Sequence, residues 1–165
     1  MLFSGAVCQL REDLPAAMPQ VEECVAVYSQ YRTTQNPCTV RDMERNESIE
    51  VKALTTSDNF FKVFTYPIVE GDPHHILQPN EVAISKEMAQ KLYDGLALGK
   101  PLAYSYMGHE TVYTVALVAE VPSNTHLPFE VVVPLSSREL NLYRNIIESL
   151  RSWQCGFKPC LRNFV

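Results

Sequence analysis

The chain has 165 residues, 46% of them hydrophobic and 10% aromatic, which is enough for a single packed domain or for two small lobes that fold together. Its net charge of -5, with no run of Lys or Arg, argues against a nucleic-acid binder, because such proteins concentrate basic residues on one face. No window approaches the roughly 20 continuous apolar residues of a membrane-spanning helix, and residues 1–10 lack the pattern of a signal peptide, so we expect a soluble chain.

The first half of the chain predicts one strand and then a strand-helix unit. Residues 21–31 contain the alternating apolar positions of a strand, and residues 49–53 alternate in the same way. The segment 59–73 follows, in which three phenylalanines are spaced to bury one face of a short helix before a Gly-Asp-Pro turn. We predict that Ser57 or Asp58 caps this helix. The segment contains no nucleophile, base or ligand cluster, which indicates a structural role.

The second half of the chain predicts a further strand-helix unit and then a hairpin. Residues 81–84 predict a short strand, Ser85 is a good N-cap for the helix that follows, and Gly95 ends that helix. Residues 101–106 and 111–121 predict two strands joined by a tight turn. Four apolar residues of the second strand are expected on one face: Tyr113, Val115, Leu117 and Ala119.

A strand over residues 129–133 and a last helix complete the pattern, with Ser136 and Glu139 as the capping box of that helix. The strands are short and interrupted by prolines, and no glycine-rich loop follows a strand to open a helix, which disfavours parallel winding of the Rossmann kind. We therefore predict an α+β fold with the helices packed on one side of a mixed or antiparallel sheet. The whole chain, residues 1–165, is expected to form a single domain.

One loop has a superficial likeness to a phosphate-binding loop. It has three residues between Gly95 and Gly99 where the motif needs four, and Pro101 replaces the Ser or Thr that would bind magnesium. We interpret the loop as the end of a helix and its connection to the next strand, and we predict no cofactor.

Four histidines, His74, His75, His109 and His126, could supply a metal site if the fold brought them together. Adjacent histidines on a loop usually point in different directions, and no HExxH pattern or acidic partner at helical spacing accompanies them. We interpret them as solvated loop residues, and we predict no metal site and no catalytic or cofactor-binding residues.

The five cysteines, Cys8, Cys24, Cys38, Cys155 and Cys160, form no CxxC motif. A turn-rich sequence separates Cys155 from Cys160, and it could bring them close enough for a disulfide in an oxidising compartment. A cysteine nucleophile would need a base and an orienting group, which sequence spacing alone does not exclude. A free-standing α/β enzyme and a small-ligand-sensing module therefore stay open as alternative functions.

Three blocks of the sequence carry a resemblance to a known family. The first block is an aromatic segment that ends in Gly-Asp-Pro: Asn59, Phe60, Phe61, Val63, Phe64, Tyr66, Ile68, Gly71, Asp72 and Pro73. The second is a strand and helix followed by Gly-Lys-x-Leu: Val82, Ile84, Ser85, Ala89, Lys91, Leu92, Tyr93, Gly99, Lys100 and Leu102. The third is a strand that leads into a Val-Pro-x-Asn-x-His turn: Tyr113, Thr114, Val115, Val118, Val121, Pro122, Ser123, Asn124, His126, Leu127 and Phe129.

With these blocks in this order, the chain resembles the extracytoplasmic core domain of MacB-type and FtsX-type ABC transporter permeases over residues 15–135. Leu117 stands where the family tends to have glycine, Glu120 stands where it favours aspartate, and residues 136–165 match poorly. The resemblance implies a domain inserted between membrane helices, on the periplasmic side of the cell inner membrane.

The function implied by this resemblance is mechanical and non-catalytic. In such permeases a cytoplasmic ATPase drives a movement that the membrane helices pass to this domain, which engages a partner protein or substrate outside the membrane. The resemblance therefore implies three partners: the cytoplasmic ATPase subunit, a second permease copy, and a periplasmic adaptor or lipoprotein. It implies no nucleic acid.

Overall fold

The structure is a computed structural model that describes residues 18–29, 37–43, 47–106 and 108–137. The strands and helices in these ranges are β1 (Val27–Ser29), β2 (Thr39–Asp42), β3 (Ser48–Glu50), β4 (Ala53–Thr56), α1 (Phe60–Val63), β5 (Ile68–Glu70), β6 (Glu81–Ser85), α2 (Lys86–Tyr93), β7 (Pro101–Tyr106), β8 (His109–Ala119) and β9 (Val131–Pro134). The last helix of the sequence prediction falls outside the described residues.

The nine strands in the described ranges form one mixed sheet. They pair in the order β1-β4-β9-β6-β8-β7-β2-β3, and β5 pairs with β8. β4 is parallel to β9 and β6 is parallel to β8, whereas the other pairs are antiparallel.

The distance between β3 and β4 shows that the sheet is not flat. Six strand spacings separate β3 from β4 in this order, which is about 29 Å in a flat sheet. Only Val51 and Lys52 lie between them in sequence, and three Cα steps span at most about 11 Å. The sheet therefore curves round and closes on itself.

The extended run over residues 48–56 closes the sheet. Its first part, β3, pairs with β2, and its second part, β4, pairs with β9. Between them the Lys52 oxygen accepts a hydrogen bond from the Glu130 nitrogen at 2.8 Å. The single strand predicted over residues 49–53 is therefore two strands, because the run changes its partners midway.

An inner cluster of buried apolar residues fills the closed sheet. β2, β4, β6, β7, β8 and β9 all contribute alternate residues to it, including Val40, Ile84 and Leu102. α2 buries four residues of one face in the same cluster: Met88, Ala89, Leu92 and Tyr93. Since strands from every side of the closed sheet contribute, this cluster is the main core of the described domain.

A second, outer cluster covers the opposite face of β4, β6, β8 and β9. Successive strand residues alternate between the two, so Ala53 belongs to the inner cluster and Leu54 to the outer one. α1 contributes Phe60 and Phe61 to the outer cluster. The predicted α+β class with a mixed sheet is confirmed. The two described helices, however, lie on opposite faces and not on one side, because closure of the sheet places one face inside and the other outside.

The ends of α2 agree with the sequence prediction. The Ser85 hydroxyl accepts a hydrogen bond from the Met88 nitrogen at 3.2 Å and so caps the first turn. After Tyr93, Asp94 adopts the left-handed conformation with φ 54°, and Gly95 continues it with φ 101°. Glycine adopts such angles without steric cost, which is why the helix ends here.

The long strand β8 contains a β-bulge at Ala116, where its register against β6 shifts by one residue. Tyr113 and Val115, before the bulge, belong to the inner cluster, whereas Leu117 and Ala119 belong to the outer cluster. The prediction that these four side chains share one face was wrong. The inserted residue inverts the alternation, because side chains in a strand repeat every two residues.

Candidate functional site

The first and third sequence blocks meet in the outer cluster. The ring of Phe60 stacks on Tyr66 at a centroid distance of 5.7 Å, and Tyr66 packs edge-on against Phe129 at 5.1 Å. The Tyr66 hydroxyl donates a hydrogen bond to the Leu127 backbone oxygen at 3.0 Å and lies 3.1 Å from Thr125 Oγ1. Rings and hydrogen bonds therefore join the aromatic segment to the turn that follows β8.

Gly71 joins the first block to the bulge in β8. Its φ is +98°, and a Cβ at this position would lie 2.6 Å from the Ala116 carbonyl oxygen and 2.8 Å from Leu117 Cδ2. The chain passes here from β5 on one edge of β8 to β6 on the other. Only glycine permits both the backbone angle and this close approach.

Glu70 fixes the loop that resembled a phosphate-binding loop. Its carboxylate accepts hydrogen bonds from the Ala97 nitrogen at 3.3 Å and the Leu98 nitrogen at 3.1 Å. The Gly99 nitrogen donates to the Val115 oxygen at 2.7 Å. These three amides bind protein oxygens, which agrees with the interpretation of the loop as a connection between α2 and β7.

The chain joins and leaves the described sheet at one place, on either side of Thr56. Val27 of β1 and Pro134 of β9 are both in register with Thr56 of β4. β1 is antiparallel to β4 and β9 is parallel to it, so the segment before β1 and the segment after β9 lie at the same end of the sheet. Two strand spacings separate them, about 10 Å. This junction consists of residues 23–27, 56–62 and 134–137.

The incoming segment, residues 23–26, is held by the loop between β4 and α1. The Ser57 nitrogen donates to the Ala26 oxygen at 2.9 Å, and the Ala26 nitrogen donates to Ser57 Oγ at 3.0 Å. Both residues are buried. Asn59 Nδ2 donates to the Glu23 carboxylate at 2.8 Å, and Lys62 forms an ion pair with the same carboxylate.

The outgoing segment, residues 135–137, is held by the same loop. The Leu135 nitrogen donates to the Thr56 oxygen at 2.7 Å, and Ser136 Oγ donates to Asp58 Oδ1 at 2.9 Å. One short loop therefore holds both segments by hydrogen bonds and leads directly into α1.

Two residues of this loop have a different role from the one predicted. Ser57 or Asp58 was expected to cap α1, but the N-cap is Asn59, whose side chain makes no capping hydrogen bond. Ser57 and Asp58 instead bond to Ala26 and Ser136, which are 31 and 78 residues away from them in sequence. Such distant partners leave no local pattern, so the junction could not be predicted from the residues around Ser57 and Asp58.

The chain matches the family of MacB-like periplasmic core domains over residues 5–152. The chain belongs to this family. Members are periplasmic domains of ABC-type permeases, and the chain is a domain of that class. The family assignment from the three sequence blocks is therefore confirmed. Within the described residues, neither helix has both the length and the apolar character needed to cross a membrane.

Two solved structures share the fold of this MacB-like domain. One is a domain described as part of a permease protein from Porphyromonas gingivalis, with a TM-score of 0.56 and 20% identity over 80% of this chain and 52% of that one. The other is the extracellular domain of the noncanonic ABC-type transporter YknZ from Gram-positive bacteria, with a TM-score of 0.56 and 19% identity over 85% of this chain and 65% of that one. The chain thus spans less than two thirds of either structure. A comparison with curated proteins gave no match.

Burial raises the pKa of three groups in the inner cluster of this MacB-like domain: Cys38, Tyr93 and Tyr104. Burial raises the pKa of the Cys38 thiol, and the Tyr104 hydroxyl donates a hydrogen bond to its Sγ at 3.4 Å. Burial likewise raises the pKa of Tyr104, and it raises the pKa of Tyr93 to about 12, where the charge of Asp42 adds to the effect. A nucleophilic cysteine needs a depressed pKa, so Cys38 does not fit the enzyme alternative.

The candidate metal and disulfide residues have separate positions. His75 Nε2 lies 2.6 Å from a carboxylate oxygen of Glu81, in the loop before β6. The other described histidines lie in the Gly-Asp-Pro turn, at the start of β8 and in the turn after β8: His74, His109 and His126. No group of three or more His, Cys, Asp or Glu side chains in the described ranges is placed to hold a metal ion. Cys8, Cys155 and Cys160 lie outside the described residues, so the disulfide stays a prediction.

Proposed function

We propose that this periplasmic domain transmits movement. A cytoplasmic ATPase would drive that movement through the membrane helices of the full-length permease, and the domain would pass it to a partner protein or substrate outside the inner membrane. The observation that carries the proposal is the junction, where Val27 and Pro134 flank Thr56 at one end of the sheet. We propose no catalytic role and no cofactor, and we propose that residues 1–165 act as one domain.

The spacing at the junction fits a domain inserted between two membrane helices. The incoming and outgoing segments are about 10 Å apart, as estimated from two strand spacings. Packed helices have interaxial distances of about 8–10 Å. The separation of the two segments therefore matches that of two neighbouring membrane helices, and a displacement of those helices would act on one end of the domain.

The contacts from the junction inward support transmission into the rest of the domain. The loop that holds both segments runs into α1, whose Phe60 is fully buried. Phe60 packs on Tyr66, and the Tyr66 hydroxyl bonds to the Leu127 oxygen in the turn after β8. Since protein interiors are close-packed and resist deformation, a displacement of this loop would move the aromatic cluster and that turn as one body.

The proposed partners follow from the family. They are a cytoplasmic ATPase subunit that acts through the membrane helices, a second permease copy, and a periplasmic adaptor or lipoprotein. The position of the domain on the periplasmic side of the inner membrane can be checked first. Val112 is exposed on β8, so a cysteine placed there by Val112→Cys should react with a membrane-impermeant maleimide in cells whose outer membrane has been permeabilised. Labelling only after lysis of the inner membrane would contradict this location.

The test of transmission uses the same position in the full-length permease assembled with its ATPase. Spin labels at Val112→Cys in both permease copies, with the other reactive cysteines replaced by serine, report the distance between the two domains. We expect this distance to differ between the nucleotide-free state and an ATP-bound state trapped by an ATPase variant that does not hydrolyse ATP. An unchanged distance distribution would overturn the proposal.

A double substitution at the junction sharpens this test. Ser57→Ala with Asp58→Ala removes one side-chain bond to the incoming segment and one to the outgoing segment. We expect a smaller ATP-dependent change in label distance with an unchanged rate of ATP hydrolysis in the detergent-solubilised complex. The matched control is Glu110→Ala, which removes the ion pair with Arg41 at a site away from the junction and should leave the distance change intact.

A further inference from the structure

We propose that β1 opens and closes as a latch while the closed sheet stays folded, so that the incoming segment can detach from the domain before the outgoing segment does. The opening itself is a property of this chain, and only its role in limiting transmitted force rests on the proposed function. The inference comes from the unequal way in which the two strands that flank Thr56 are held.

β9 is fixed on both sides. All four of its residues are buried, and it pairs with β4 on one edge and with β6 on the other. Val131 and Val133 pack in the inner cluster, and Val132 packs in the outer cluster. Releasing β9 would therefore open both clusters and the closed sheet together.

β1 has much weaker attachments. It has three residues, and β4 is its only partner among the described strands. Val25 and Val27 are only partly buried against the outer cluster. The ion pair between Lys62 and Glu23 is largely exposed to water, with 66% and 36% of the two side chains accessible, so it adds little. The reciprocal bonds between Ser57 and Ala26 are buried, and Asn59 Nδ2 adds a partly buried hydrogen bond to the Cys24 oxygen at 3.3 Å.

In β4 and the loop beside β1, several buried oxygen atoms have no hydrogen-bond partner. Thr55 and Thr56, which are in register with Tyr28 and Val27, each have an unbonded hydroxyl, and so does the side-chain oxygen of Asn59. An unsatisfied buried polar group disfavours the state that buries it. The same two threonines are in register with Val133 and Pro134 of β9. Water can reach them at a smaller cost in broken contacts when β1 opens, because β1 pairs with a single described strand whereas β9 pairs with two.

The amplitude of such an opening is limited. A strand advances about 3.3 Å per residue, so releasing the three pairs of β1 frees on the order of 10 Å of extended chain. In a permease, the segment before β1 could then move by that length while β9 still held the domain. The latch would thus set an upper limit to the tension that reaches the outer cluster.

The test is native-state hydrogen exchange on the 165-residue chain. We expect the ladder amides of residues 27–29 to exchange on the order of 100-fold faster than those of residues 131–133, with little dependence on low concentrations of denaturant, as for a local opening. Ser57→Ala should accelerate exchange in residues 27–29 by about tenfold at low denaturant concentration, and this exchange should stay independent of denaturant.

Two further variants keep the result interpretable. Ser136→Ala removes a hydroxyl hydrogen bond from the outgoing segment instead, and it should not change exchange in residues 27–29. Glu23→Gln, a surface change that should not affect folding, should accelerate exchange in residues 27–29 by about twofold to threefold through the weakened ion pair. Equal exchange rates and equal denaturant dependence for β1 and β9 would overturn the latch, whatever the spin-label experiment shows. An unchanged label distance in the permease would in turn leave the exchange result standing.

Discussion

The inner cluster and the junction are held together by opposite means. The inner cluster is an apolar core to which six strands and α2 contribute, and burial in it raises the pKa of Cys38 and of Tyr93. The junction depends on hydrogen bonds from one loop of three residues, 57–59, to segments that lie far apart in sequence. Hydrophobic burial scales with the area removed from water, whereas a single hydrogen bond adds little net stability. The stability of the domain and its attachment to the flanking chain should therefore respond to different mutations.

The largest expected effect lies at Phe60, in the outer cluster between these two regions. Phe60 is fully buried, and its ring contacts Tyr66 and Phe129. Phe60→Ala should lower the free energy of unfolding by about 3–5 kcal/mol, because it removes apolar contacts and leaves a cavity. The midpoint of urea denaturation measures this loss.

The control for Phe60 is in the same helix. Val63 is 41% exposed, and Val63→Ala should cost less than about 0.5 kcal/mol. If Phe60→Ala cost less than about 1 kcal/mol, the aromatic cluster would not belong to the cooperative core, and the path from the junction to the turn after β8 would lose its rigid element.

The second-largest expected effect lies at the bulge in β8, where the alternation between the inner and outer clusters is inverted. Gly71→Ala should cost about 2–4 kcal/mol, because it combines a strained positive φ with a Cβ that collides with backbone. Gly108 also has a positive φ, 81°, but a Cβ there would meet no atom within 4 Å. Gly108→Ala should therefore cost only about 1–2 kcal/mol. Equal losses for the two variants in urea denaturation would show that backbone strain alone, without the contact to Ala116, accounts for the glycine.

Much of the fold could be predicted from local patterns. The Ser85 cap, the end of α2 near Gly95 and the hairpin of β7 and β8 all follow from residues that interact within a few positions of each other. The three blocks that indicated the family also proved to be in contact, through Tyr66, Gly71 and Glu70. Local sequence patterns therefore predicted these elements correctly, because the residues that form each of them interact within a few positions in sequence.

The rest depended on partners that are distant in sequence. The sheet closes because β3 and β4 are consecutive in sequence but lie far apart in the order of strands. The alternation over residues 49–53 does not indicate that the chain changes its pairing partner there. The four consecutive apolar residues 116–119 do indicate a strand with both faces buried, but this pattern does not locate the bulge. Ser57 and Asp58 looked like caps because their side chains suit that role, but tertiary hydrogen bonds to Ala26 and Ser136 took precedence.

The smallest expected effect is on the pH dependence of stability, which should change with a substitution in the inner cluster but not with one at the junction. Burial, with a smaller effect of Asp42, raises the pKa of Tyr93 from 10.0 to about 12. Because the pKa is higher in the folded state, this group's contribution to stability is complete below about pH 10 and is lost as the pH rises through 12. Urea denaturation of the Tyr93→Phe variant should therefore show a flatter decline of the free energy of unfolding between pH 10 and 12 than the unmodified chain. Ser57→Ala acts at the junction, so it should lower the whole curve without changing its slope. If Tyr93→Phe kept the full slope, the alkaline loss between pH 10 and 12 would arise from other groups, and the Tyr93 phenol would not be buried as the structure indicates.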